Sequence, residues 1–182
     1  ARIGSPEGRE PTVRLFVAVI PSPDALAHLD DVLSGHRARV GAPRWTAPEL
    51  RHLTLAFLGE VGEQRVPALA TELGRVAAGA PVLRLRLSGA GIFPPRGAPR
   101  VAWAGLDGDP DDLDGLHRLA AAVTRAVRQA RVPVERRPLR PHLTLGRWRP
   151  GDTYDPGLVR DLAGYVGPCF GVDRIGLVRS HL

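Results

Sequence analysis

Leu83-Arg84-Leu85-Arg86-Leu87 alternates apolar and charged positions without a break, the two-residue period of a strand with one dry and one wet face. Val13 to Ile20 is instead almost continuously apolar and rich in β-branched residues, as expected of a central strand. Pro21-Ser22-Pro23-Asp24 supplies a stop and a helix cap, and Ala25 to about Arg39 reads as a helix. Pro43 to Thr46 is extended, Pro48-Glu49 turns the chain, and a strand from His52 to Leu58 ends at Gly59. Gln64 to Ala78 is a second amphipathic helix, with Pro67 tolerated in its first turn. Gly89 to Pro99 reads as a loop, Arg100 to Leu106 as a strand, and Leu113 to Arg131 as a third helix capped from Asp107 to Asp112. A strand from His142 to Trp148, a short helix from Gly157 to Leu162 and a last strand from Val172 to Val178 follow. Helices outside antiparallel strands make the fold class α+β.

Within that pattern the tetrapeptide His52-Leu53-Thr54-Leu55 recurs letter for letter as His142-Leu143-Thr144-Leu145. Each copy lies in a predicted strand, where successive side chains alternate faces. His and Thr therefore share one face, and the two leucines point into a core. The strand and helix order is similar in the two halves, so the repeats are expected to face each other across a cleft by a pseudo-twofold duplication. Two imidazoles and two hydroxyls gathered there suit phosphate-ester chemistry. One neutral imidazole can take a proton from water as it attacks phosphorus, and the other, protonated, can return one to the leaving oxygen. Thr54 and Thr144 can donate hydrogen bonds to the non-bridging oxygens.

At 182 residues the chain fits one domain, expected over residues 13–182 with two lobes, behind a flexible tail over residues 1–12. No apolar run approaches the roughly 20 residues of a membrane span. The lone cysteine, Cys169, excludes an internal disulfide framework, is compatible with a cytoplasmic protein, and is expected to be a small buried hydrophobe. The net charge is +6 and every basic residue is arginine, which suits a polyanionic partner and equally a GC-rich coding genome. Neither repeat carries an acidic residue or a second His or Cys at ligand spacing, so no metal and no cofactor is expected. For either copy alone, a histidine merely hydrogen-bonded in its strand is the simpler reading. The identical second copy, with Arg51 beside one and Arg140 and Arg147 beside the other, argues against it.

Arg14 to Ala18, Trp45 ahead of His52-Leu53-Thr54-Leu55-Ala56-Phe57-Leu58-Gly59, Pro99 to Gly105, and Arg140-Pro141-His142-Leu143-Thr144-Leu145-Gly146-Arg147 together resemble the 2H phosphoesterase superfamily. Within it they look like the bacterial and archaeal RNA 2′,3′-cyclic phosphodiesterases, also called 2′-5′ RNA ligases. The resemblance runs from about Val13 to Leu182. It implies a bilobal, LigT-like fold: two pseudo-twofold related antiparallel-sheet lobes with helices outside and a central cleft. It also implies opening of an RNA 2′,3′-cyclic phosphate to a 2′-phosphomonoester without metal or nucleotide, with ATP-independent 2′-5′ joining as a side activity. By the same resemblance His52 is the proton donor and His142 the proton acceptor. The residues alone leave those roles interchangeable.

Arg140, two residues before His142, and Arg100 are candidate phosphate contacts, each with a surface arginine as the alternative. Arg51 departs from the family, whose members often carry a small polar residue such as Asn there, and is read as exposed, with tuning of substrate affinity as the alternative. Phe16, Trp45, Phe57 and Trp148 are read as core residues, with base stacking as the alternative. His28, His36 and His117 are read as surface residues, and His181 as a weak substrate candidate. The expected partner is RNA with a cyclic phosphate end, acted on by a monomer with no membrane contact and no obligate protein partner. The alternatives are a phosphodiesterase of small cyclic nucleotides or ADP-ribose cyclic phosphate, and a non-catalytic module that only holds RNA ends.

Overall fold

The computed structural model describes residues 10–180, so most of the expected N-terminal tail, and His181, lie outside the described residues. Of the residues assigned to that tail, Thr12 belongs to the sheet, opening β1 opposite Gly62, and Pro11 just ahead of it accepts a hydrogen bond from the Glu63 N–H.

In chain order the elements are β1 (Thr12–Val19), α1 (Pro23–Ser34), β2 (Arg44–Trp45), β3 (Leu53–Gly62), α2 (Val66–Gly79), β4 (Leu83–Phe93), β5 (Val101–Gly108), α3 (Pro110–Gln129), β6 (Leu143–Arg147), α4 (Gly157–Leu162), β7 (Val166–Val172) and β8 (Gly176–Arg179). All pairings are antiparallel, and the strands form one sheet in the order β7-β4-β5-β6-β3-β1-β8, with β2 paired to β6. The two lobes are thus halves of a continuous sheet. They join where β3 meets β6 through the single pair Leu53–Leu143, the corresponding leucines of the two repeats. Each repeat strand has a partner on its outer side, β1 beside β3 and β5 beside β6, and a helix precedes each repeat strand.

Leu53, Leu55, Leu143 and Leu145 are all buried, in one core with Leu29 and Leu33 of α1, Leu69 and Leu73 of α2, and Leu116, Val123 and Val127 of α3. Each such leucine contributes about 1.5–3 kcal/mol relative to exposure. This leucine face holds the two halves together and leaves the opposite face for the histidines.

The boundaries moved for identifiable reasons. Helix α1 is capped by the Ser22 hydroxyl, which accepts from the Ala25 N–H, but it stops at Ser34 rather than Arg39. Beyond Leu33 its period offers only exposed Arg37 and Val40, so no apolar face remains to hold further turns. The expected loop at Gly89 is a bulge inside β4: Gly89 has φ +65°, the register slips between Ser88 and Ala90, and the strand continues to Phe93. Gly59 likewise carries φ +68° within β3 instead of ending it. Strand β7 was not expected, because Gly167, Pro168 and Gly171 interrupt its pattern. It is an edge strand, where a proline lacking an N–H is tolerated. Cys169 lies on this edge and is exposed, not buried.

Candidate active site

His52 stands immediately ahead of β3 and His142 immediately ahead of β6. Continuing the antiparallel register through Leu53–Leu143 sets His52 across from Thr144, and His142 across from Thr54. All four side chains are half-buried on the face opposite the leucines. The structure therefore brings together the four residues that the repeat singles out.

The two imidazoles are held in the same way. Nδ1 of His52 lies 2.8 Å from the Leu50 carbonyl oxygen, and Nδ1 of His142 lies 2.6 Å from that of Arg140. A carbonyl can only accept, so Nδ1 carries the proton in both rings and Nε2 is the nitrogen left for proton transfer. Aromatic neighbours fix the ring planes. Phe16 of β1 stacks on His52 with centroids 4.5 Å apart, while Phe93 and Trp103 meet His142 edge-on at 5.1 and 6.5 Å. Trp103 is the cross-strand neighbour of Thr144, and its ring lies over Gly91, where a Cβ would come within 2.1 Å of it. Gly91 is thus required for this close approach.

Burial pushes His52 below the ordinary histidine value of 6.5, and the charges of His142 and Arg147 add to the effect. The Leu50 carbonyl opposes them by favouring the protonated ring. The influence of His142 follows from like charges on two rings of one site.

Arg147 was read only as a basic neighbour, and a register break explains its place. Trp103 pairs with Thr144 but Ala102 pairs with Gly146, so Leu145 is an extra residue on β6. Such a bulge reverses the alternation beyond it. Gly146 turns to the buried side and Arg147 rejoins Thr144 on the histidine face, where its charge reaches His52. Strict two-residue alternation would have put Arg147 on the wrong face.

The remaining candidates separate. The Arg140 side chain is exposed, and the atom touching His142 is its backbone carbonyl. Arg100 is exposed at the end of the β4–β5 hairpin, its N–H on the Phe93 carbonyl at 2.8 Å and its carbonyl accepting from Trp148 at 3.0 Å. Arg51, expected to be exposed, is 2% exposed. It points to the side opposite His52, where Nε donates to the Thr46 carbonyl at 3.2 Å and Nη1 lies 2.9 Å from the Asp30 carboxylate of α1. Trp45 and Trp148 pack against the core, whereas Phe57 is half exposed and its ring centroid is 6.3 Å from that of Phe16. His28 and His117 are exposed and His36 half-buried. Among the described residues no group of three or more His, Cys, Asp or Glu could hold a metal ion, and no helix is long and apolar enough to cross a membrane.

Comparison with known proteins gives the chain a family. Residues 21–182 match the model of the 2′-5′ RNA ligase superfamily. A Thermus thermophilus protein named RNA 2′,3′-cyclic phosphodiesterase is 34% identical over 182 aligned positions, covering 93% of this chain and 83% of that protein. One of the same name from Geobacillus stearothermophilus is 32% identical over 139 residues, 76% of this chain; the match spans only 43% of that longer protein. Among solved structures, Escherichia coli LigT complexed with 3′-AMP superposes with a TM-score of 0.73 at 27% identity, over 94% of this chain and 90% of that one.

Proposed function

The chain belongs to the 2′-5′ RNA ligase superfamily, and from that premise we propose that it hydrolyses the 2′,3′-cyclic phosphate at an RNA end to a 2′-phosphomonoester. The observation that carries the reading is the matched pair of imidazoles, each with Nδ1–H on a carbonyl two residues upstream and each with Nε2 available on the same face. His142 Nε2 accepts a proton from water as the water oxygen bonds to phosphorus. The bond from phosphorus to the 3′-oxygen breaks, and His52 Nε2 delivers the proton that this oxygen needs. Thr54 and Thr144 donate to the non-bridging oxygens, and Arg147 offsets their charge. If a 5′-hydroxyl replaces the water, the same steps join two strands through a 2′-5′ linkage without ATP. Arg140 and Arg100, both exposed beside these elements, are further candidate contacts for the RNA backbone.

The low proton affinity of His52 in the free site favours a second assignment, with His52 as base and His142 as acid. A bound phosphate opposes it, because its negative charge offsets those of Arg147 and His142 and raises His52 again. A phosphodiester with an aryl leaving group separates the two readings, since a phenolate departs without a proton. Loss of the acid is largely rescued on that substrate and loss of the base is not.

The primary test is a short RNA ending in a 2′,3′-cyclic phosphate, incubated with the protein in EDTA without ATP. We expect a 2′-phosphate product from the wild type and none from His52→Ala or His142→Ala. Turnover only on adding a metal would overturn the mechanism. Tight binding of the RNA end without turnover would favour a binding module, and turnover of small cyclic nucleotides alone would favour a small-molecule phosphodiesterase.

A further inference from the structure

Arg44 of β2 lies directly opposite Arg147 of β6, and Arg147 is opposite Val101 of β5 in turn. Residues paired in this way share a face, with Cβ atoms about 4.5–5.5 Å apart, and like charges so placed destabilise a sheet. No acidic side chain within salt-bridge distance of either guanidinium relieves the repulsion among the described residues. The pairing is nevertheless built tightly. Gly146 of β6, opposite Trp45 of β2, has no side chain, and a Cβ there would lie 2.6 Å from the Arg44 carbonyl oxygen. The Thr46 N–H then bonds the Leu145 carbonyl at 2.8 Å, fastening β2 beside the bulge that turns Arg147 toward the histidines. Two cations at paired positions on the histidine face, with no acid beside them among the described residues, make a place for an anion.

We propose that Arg44, side by side with Arg147, binds a second phosphate of the substrate: the internucleotide phosphate next to the cyclic end. Arg147 reaches the neighbourhood of His52 and serves the reacting phosphate. Arg44 stands one strand further from it on the same face and receives the neighbouring one. The site then prefers an RNA end over a free cyclic mononucleotide, although both carry the same reacting group. This rests on the cyclic phosphodiesterase reading, and it adds a chain-length preference and the residue that sets it.

The test compares kcat/KM for a 2′,3′-cyclic mononucleotide with that for a dinucleotide bearing the same cyclic end, on wild type, Arg44→Gln and Arg84→Gln. Arg84, exposed on β4 near the far edge of the sheet, controls for loss of one positive charge. The wild type should prefer the dinucleotide by about tenfold, the scale of one charge-assisted contact. Arg44→Gln should erase that preference while leaving the mononucleotide within about twofold, and Arg84→Gln should keep it. Binding of the 2′-phosphorylated products, read by fluorescence anisotropy, supplies the same comparison without turnover. Arg44→Gln should weaken the dinucleotide product and lower its salt slope by about 0.7. Absence of turnover with the binding difference intact would sink the catalytic reading and spare this one. An equal loss on both substrates, or an unchanged preference, would overturn the role of Arg44.

Discussion

The buried ion pair beneath His52 makes an asymmetric prediction about stability. The Arg51 side chain is fully buried with Nη1 2.9 Å from Asp30, and neither Nη nitrogen makes an aligned hydrogen bond. Asp30 is only partly covered, at 31% exposure, and has a second partner in Arg37 at 2.5 Å. Asp30→Ala leaves a desolvated guanidinium with no counter-charge, whereas Arg51→Met leaves an aspartate that still has Arg37 and water. Removing the partner of a buried charge costs about 3–5 kcal/mol because that charge is left uncompensated, while replacing the whole pair with apolar residues of similar volume is often neutral. The partial exposure of Asp30 brings the first figure to its lower end, about 3 kcal/mol. With a urea m-value of about 2 kcal/mol/M, the unfolding midpoint should fall by about 1.5 M for Asp30→Ala. Arg51→Met should shift it by less than about 0.7 M, and the double variant should recover most of the loss. Urea titration followed by tryptophan fluorescence reads all three. A larger loss for Arg51→Met than for Asp30→Ala would refute the reasoning, and would mean that the pair and the Thr46 contact outweigh the cost of burying the charge.

Three further outcomes follow from the site. With His52 as donor, the alkaline limb of kcat/KM should lie below the ordinary 6.5, since burial, His142 and Arg147 all hold its proton affinity down. Arg147→Gln should move that limb to higher pH, and an unmoved limb would exclude His52 as the group it reports. Because the folded chain holds the His52 proton less tightly than the unfolded one, stability should decline as pH falls from about 6.5 through the lowered folded value. In His52→Gln this part of the decline should vanish from urea midpoints measured between pH 5 and 8. Gly91→Ala should cost about 1–3 kcal/mol, because its Cβ overlaps the Trp103 ring and no flexible end is there to yield. It should also lower kcat by moving Trp103 off His142. Retained stability with unchanged kcat would show that the ring relocates harmlessly.

What the sequence made legible was the part written in short-range pattern. The repeated His-Leu-Thr-Leu declared both strands, both inward leucine pairs and the four polar residues, because alternation alone decides those faces. Strand β7 escaped because the period-two signal fails where Gly and Pro sit on an edge, and β4 was cut short because one left-handed glycine looks locally the same in a bulge as in a loop. Arg147 escaped for a related reason. Its face depends on an unpaired Leu145, which is a property of the partner strand as much as of its own. Arg51 shows the converse limit: a charged residue is assigned to solvent by composition, and only the arrival of Asp30 from α1, 21 positions earlier in the chain, allows it inside.

The same distinction explains why the repeat singles out the four site residues but not the proposed role of each. The two histidines are equivalent in sequence and in their Nδ1 contacts, yet the carbonyls that hold them are supported differently. The Leu50 carbonyl belongs to a segment fastened on several sides: Arg51 to Thr46 and Asp30, Thr46 to Leu145, and the Leu50 N–H to the Ala47 carbonyl. The Arg140 carbonyl lies in the stretch between α3 and β6, where Arg136, Arg137 and Arg140 are all exposed. On the proposed reading, a phosphate backbone would engage those exposed arginines, and the orientation of His142 would be coupled to substrate in a way that that of His52 would not. An imidazole held firmly and kept low in proton affinity until a phosphate arrives suits a donor that is charged by its substrate. An imidazole on an exposed basic segment suits a base aligned on binding. What differs between the two histidines is therefore Asp30, Arg51 and the arginines of the 131–142 segment, none of which repeats between the two halves, and the proposed acid and base roles rest on that difference.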